Sequence, residues 1–220
     1  MPRLLFASLV AVAMQSAPAP LLGQERVQPV SNAGVITQSV VVPVFPGQMI
    51  TATVALPALE ATPLPSVLLL VVREPDSGPV VAAVAMSEAL LARGIAVVQL
   101  ELPPVSAADS GRAEPMTQPA DDAYAVLQFL RQRQDIDGDR MALIGVGEAA
   151  PYAARAAALD EGVRALVLLG AGSPSRDSMD LPTSLPLLAL PLEPRAAPPE
   201  GQASGSPAID AAAFLSRHLQ

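Results

Sequence analysis

The sequence predicts an α/β fold: a three-layer sandwich built on a mostly parallel sheet, with an antiparallel hairpin at its N-terminal side. Three observations point there. Continuous aliphatic runs bounded by breakers (Ser66 to Val72, Ile95 to Leu100, Val163 to Leu169) read as strands buried on both faces. Segments with helical apolar spacing alternate with them, which implies right-handed crossovers between parallel strands. Hydrophobic residues make up 51% of the 220, but aromatics only 3% and Trp none, so Val, Leu and Ala must fill the interior.

In chain order, residues 25–34 read as a flexible lead-in to one domain over 35–220. Val35 to Val44 and Gln48 to Leu56 are β-rich runs around the turn signal Phe45-Pro46-Gly47, hence a hairpin. Pro57 to Pro65 is a proline-punctuated loop before the first buried strand. Val80 to Arg93 has helical spacing and stops at Gly94, which suits a left-handed position after the last turn. Leu102 to Pro119 is a long loop. Pro119 to Gln134 is a helix, with Asp121 and Asp122 expected in its first turn and Arg131 and Arg133 near its end, as the helix dipole favours. Asp135 to Asp139 reads as a turn. Its acidic spacing lacks the Gly placement and the twelfth-position Glu of a calcium loop, where Val146 stands instead. Pro151 to Leu159 is an alanine-rich helix ended by Gly162. Leu185 to Leu192, with prolines at both ends, is an edge strand. Residues 194–207 are expected to be loop or disordered, and Ala208 to Leu219 closes the domain as a helix.

Charge and residue inventory narrow the chemistry. A net charge of −8 without any basic cluster argues against nucleic acid or an anionic membrane as a partner. There is no Cys, which removes disulfides, thiolate catalysis and zinc-thiolate sites, and the single His is His218. No metal or cofactor is expected. At the N-terminus, Arg3 precedes the apolar run Leu4 to Met14 and a small-residue, proline-rich tail. This pattern is that of a secretory signal over 1–24, too short for a bilayer span. Export to the periplasm or beyond is the expectation.

Residues 141–150 carry the sharpest signal. The apolar run Met141 to Ile144 meets a glycine-rich corner and then the alanine-rich helix, the strand-turn-helix layout of a nucleophile elbow. Gly145-Val146-Gly147-Glu148-Ala149 lies over G-x-S-x-G with Gly145 in register. The nucleophile position is Gly147, and the closing glycine is Ala149. With the helix from Asp121 ahead of this corner and Gly94-Ile95-Ala96-Val97-Val98 further upstream, residues from about Val35 onward resemble an α/β hydrolase of the dienelactone-hydrolase or acyl-peptidase-like kind.

The resemblance implies an eighth strand and a His-bearing loop before the last helix; neither is found here, so the sheet is expected to be truncated at its strand-8 edge. Between Leu169 and Leu185 there is no room for a cap domain. The resemblance also implies positions for the catalytic parts. The oxyanion region falls on Val72 and Arg73, followed by Glu74, where such hydrolases usually carry His-Gly; the backbone of Glu148 would supply a second donor. The Asp-x-Arg-Gly that follows the next strand falls on Glu101 to Pro104. The acid loop falls near Glu193, and the catalytic His has no counterpart, since His218 lies inside the last helix.

Triad acyl transfer needs a nucleophile, a base within reach and an orienting acid, acting as a unit. With Gly147 bare, His218 misplaced and only Glu193 for an acid, the expectation is an exported pseudo-hydrolase. It would bind a small molecule or a protein, or serve a structural role. The alternative is an active esterase or dienelactone-hydrolase-type enzyme of atypical constellation, using Glu148, Glu193 or a loop hydroxyl such as Ser173 or Ser175.

Overall fold

A computed structural model describes residues 25–32, 34–45, 48–58, 63–73, 78–104, 117–170, 181–192 and 206–219. The presumed signal, the 105–116 part of the long loop, Glu74, Ser173, Ser175, Glu193 and most of the 194–207 stretch lie outside these residues. Eight strands form one sheet in the order β1-β2-β3-β5-β4-β6-β7-β8. The hairpin is present: β2 (Val35–Phe45) pairs antiparallel with β3 (Gln48–Pro57). Strand β3 then pairs antiparallel with β5 (Ala96–Leu102). From β5 the sheet is parallel through β4 (Leu64–Val72), β6 (Ile136–Val146), β7 (Val163–Leu169) and β8 (Leu187–Leu190).

One expectation is corrected. The 25–34 lead-in is a strand over most of its length: β1 (Glu25–Asn32) pairs antiparallel with β2 at the edge of the sheet. Pro29 falls within this strand. It lies in the register shift between Arg26 and Val30, and an edge bulge is where a strand tolerates a residue without an N–H donor.

Helices α1 (Gly78–Leu91) and α4 (Pro207–Leu219) cover one face of the sheet; α2 (Thr117–Arg131) and α3 (Ala150–Leu159) cover the other. Strand β4 shows why the central runs are aliphatic throughout. Val67, Leu69 and Val71 face α1 and α4, Leu68, Leu70 and Val72 face α2 and α3, and all are buried. Gly94, at φ 75°, takes the left-handed position predicted after α1.

Helix α2 starts two residues before the predicted Pro119, so Asp121 and Asp122 fall beyond its first turn. Burial, aided by the neighbouring Asp121, pushes the Asp122 carboxyl above its usual value. The predicted turn at 135–139 is the irregular start of β6. Asp137 accepts from the Asp139 N–H at 3.0 Å and from Arg140 Nε at 2.6 Å. Strand β8 is the short edge strand its prolines implied. Among the described residues no strand follows it.

Candidate functional site

The corner at residue 147 keeps the backbone of an elbow. Strand β6 runs extended to Val146 (φ −115°, ψ 124°), and Gly147 turns to φ +61°. A 3-10 turn over Gly147–Ala149 leads straight into α3. Side chains rarely adopt that φ because Cβ crowds the backbone; an elbow tolerates the strain to lift its nucleophile. Here glycine relieves the strain and leaves nothing to lift.

Close packing holds the corner in place. A Cβ on Gly145 would sit 2.6 Å from Ala150 Cα and 2.7 Å from Ala153 Cβ, so strand and helix touch backbone to backbone. One on Gly170, after β7, would lie 3.0 Å from Gly147 Cα. The direction a side chain at 147 would take is also occupied. Its Cβ would meet Pro79 Cγ at 3.0 Å and Leu192 Cδ1 at 3.8 Å, and both neighbours are apolar. Ala149, in the closing-glycine position, is fully buried.

Among the described residues, the other resemblance-derived positions do not come together around Gly147. Val72 is buried at the end of β4, and the Arg73 N–H extends the ladder by donating to the Leu102 carbonyl at 2.9 Å. The Arg73 guanidinium pairs with Glu101 at 2.8 Å, with both side chains largely in solvent. Two positions that carry chemistry in the hydrolases are thus an exposed ion pair here, of little energetic weight. Glu148 is exposed and makes no hydrogen bond among the described residues. Its charge, secondary to burial, raises the pKa of Tyr152 one turn later. At the start of α3 its default role is to complement the helix dipole.

His218 is far from this corner. It packs tilted against Phe214 with ring centroids 4.6 Å apart, and it lines a cleft together with Val163 and Arg164 at the amino end of β7. Gly147 lies at the carboxyl end, and the six-residue rise of β7 separates the two levels by roughly 20 Å. Among the described residues no group of three or more acidic or imidazole side chains could hold a metal, and no helix is long and apolar enough to cross a membrane.

The order of strands 2-3-5-4-6-7-8, the two-sided helix layers and the elbow decide the architecture. The fold is that of the α/β hydrolases. A cold-adapted esterase from an Arctic intertidal metagenomic library shares it with a TM-score of 0.60 at 13% identity, over 90% of this chain and 100% of that one. A glucuronoyl esterase from Solibacter usitatus matches with a TM-score of 0.53 at 18% identity, over 70% of this chain and 53% of its own length. That of Teredinibacter turnerae matches with a TM-score of 0.50 at 17% identity, over 66% and 44% respectively. The chain therefore spans about half the length of the two glucuronoyl esterases. No protein-family model and no curated protein matches the sequence.

Two features of the α/β-hydrolase fold here were not read from the sequence. Arg131 reaches from α2 to clamp Asp160 at the end of α3 (2.6 and 2.5 Å), and Asp160 also accepts from Gln128 at 3.3 Å and from the Gly162 N–H at 2.9 Å. The flanking glycines were the available signal, since a Cβ on Gly162 would collide with the Arg131 guanidinium and one on Gly138 would crowd Arg131 Cγ at 3.1 Å. The cleft beside His218 had no signal, because its lining comes from three separate stretches of chain.

Proposed function

We propose that this chain is an exported α/β-hydrolase-fold protein that does not hydrolyse, and that it acts by binding a small molecule or a protein. One observation carries the reading: Gly147 stands, without a side chain, where the elbow would present a nucleophile. Pro79 and Leu192 occupying the space ahead of it, and an imidazole at the opposite end of the sheet, support the same reading. Export rests on the leader-like pattern of residues 1–24.

The test is turnover of short-chain p-nitrophenyl esters together with labelling by a fluorophosphonate probe. Neither is expected above background. Gly147→Ser should remain inactive, because a hydroxyl without a base recovers none of the roughly 10⁶-fold that a triad contributes as a unit. Ester turnover by purified protein that disappears in Glu148→Gln would overturn the proposal and favour the atypical hydrolase. Export is checked by fractionating cells that express the full chain, with the processed protein expected outside the cytoplasm.

A further inference from the structure

We propose that the cleft at the amino ends of β7 and β8 binds a short apolar peptide by its two charged termini. The cleft measures about 660 Å³ and lies between the end of α3, the end of α4 and the segment 182–186. That volume falls within the range of small-molecule sites, about 300–1,000 Å³. It is independent of the chemistry at the elbow, which lies at the other end of the strands.

Its lining is of two kinds. Ala157, Val163, Leu185 and Pro186 supply an apolar floor. Above it stand groups of both signs that the fold does not use. Glu161 and Ser184 are exposed and make no hydrogen bond or ion pair among the described residues. Among the described residues the imidazole nitrogens of His218 make no hydrogen bond, and its ring contacts Phe214. Arg164 donates through Nε to the Asp139 carbonyl at 2.8 Å, which fixes its direction and leaves its terminal nitrogens uncommitted. Asp160 also borders the cleft, but its carboxylate is saturated by Arg131, Gln128 and the Gly162 N–H. Glu161 is therefore the carboxylate open to a ligand.

This arrangement selects a class. A phosphate or nucleotide would meet the unpaired Glu161 with like charge. A neutral apolar molecule would make no use of Arg164 and Glu161. A zwitterion satisfies both: its carboxylate accepts from the Arg164 guanidinium and His218, its ammonium donates to Glu161, and apolar side chains cover the floor. A di- or tripeptide has this chemistry and fits the volume.

The experiment uses leucyl-leucine as probe and calorimetry as the affinity readout. The lone imidazole gives a second, local readout, since a single histidine signal in NMR reports on the cleft directly. One-site binding with a shift of the His218 signal is expected. Glu161→Gln and Arg164→Gln should each weaken binding roughly tenfold or more, as should capping the probe as N-acetyl-leucyl-leucinamide, because each removes a charge-assisted bond. Melting temperatures of both variants confirm that they fold, and Glu148→Gln should bind as wild type. No shift of the His218 signal at millimolar probe, or equal binding of the capped peptide, or unchanged affinity in both variants, would overturn the proposal. Ester turnover would bear on the elbow alone.

Discussion

The two ends of the parallel strands have opposite characters. At the carboxyl end, where α/β hydrolases work, the described backbone is in order and Gly147 offers no side chain: Gly170 packs against Gly147, and Gly145 packs against α3. At the amino end the backbone is ordinary and the side chains are dense in chemistry, with Arg131, Asp160, Glu161, Arg164 and His218 within one region. An elbow is thus two separable things, a steric arrangement that holds a strand against a helix and a reactive group mounted on it. Close strand-helix contact stabilises the fold whether or not the group is there, so the first can persist without the second.

The contrast is broken most severely at the amino end. Asp160 is almost fully buried, and Arg131 bonds it through two nitrogens. Asp160→Ala leaves that arginine without its partner and the Gly162 N–H without its acceptor. Removing one member of a buried pair costs about 3–5 kcal/mol; with the Arg131 side chain 25% exposed, the lower end is expected. Urea melts of Asp160→Ala, Arg131→Ala and the double variant measure it. The double should lose less than the sum of the singles; strict additivity would mean the two side chains do not act together.

At the carboxyl end the expected losses are steric and graded. Gly145→Ala forces a methyl to within 2.6 Å of the α3 backbone, which cannot yield as a side-chain tip would. A loss of about 1–3 kcal/mol is expected, as for other overpacked sites. Gly147→Ala meets a looser contact, Pro79 Cγ at 3.0 Å, but must hold φ +61°, a strain of about 1–2 kcal/mol. Adding Pro79→Ala separates the two causes. If contact dominates, the second change restores stability; if backbone strain dominates, as expected, the loss remains.

How much of this was legible follows from where each signal is stored. The sandwich, the hairpin and the edge position of β8 were readable because aliphatic runs, alternating patterns and prolines act locally. The elbow was readable as a shape because Gly145 and Gly147 stand at fixed spacing on one stretch of chain. Strand β1 was missed because Pro29 is a breaker locally, and only its pairing with β2 accommodates it. The start of α2 was placed late for a similar reason, since Pro119 inside a first turn looks like a beginning. The Arg131–Asp160 clamp was missed because it joins residues 29 positions apart, and the cleft because it gathers residues from 157–164, 182–186 and His218, separations that no local pattern reports.

The smallest effect expected has the opposite sign and lies between the two ends. Ser66, on β4, is fully buried on the α2 and α3 side, and its hydroxyl has no hydrogen-bond partner among the described residues. A buried hydroxyl without a partner forfeits its bonds to water and gains none in exchange. Ser66→Ala deletes that oxygen and leaves a space too small to cost much, so the variant should be as stable as wild type or gain up to about 1 kcal/mol. Ser66→Val would fill the space and add apolar contact, but its second branch must fit between Leu64 and Leu68 on the same face. A melting temperature that falls in Ser66→Ala would show that the hydroxyl is bonded in solution, to a water held inside the sheet. A rise would show that the centre of the sheet bears a cost with no chemistry attached to it, unlike either end.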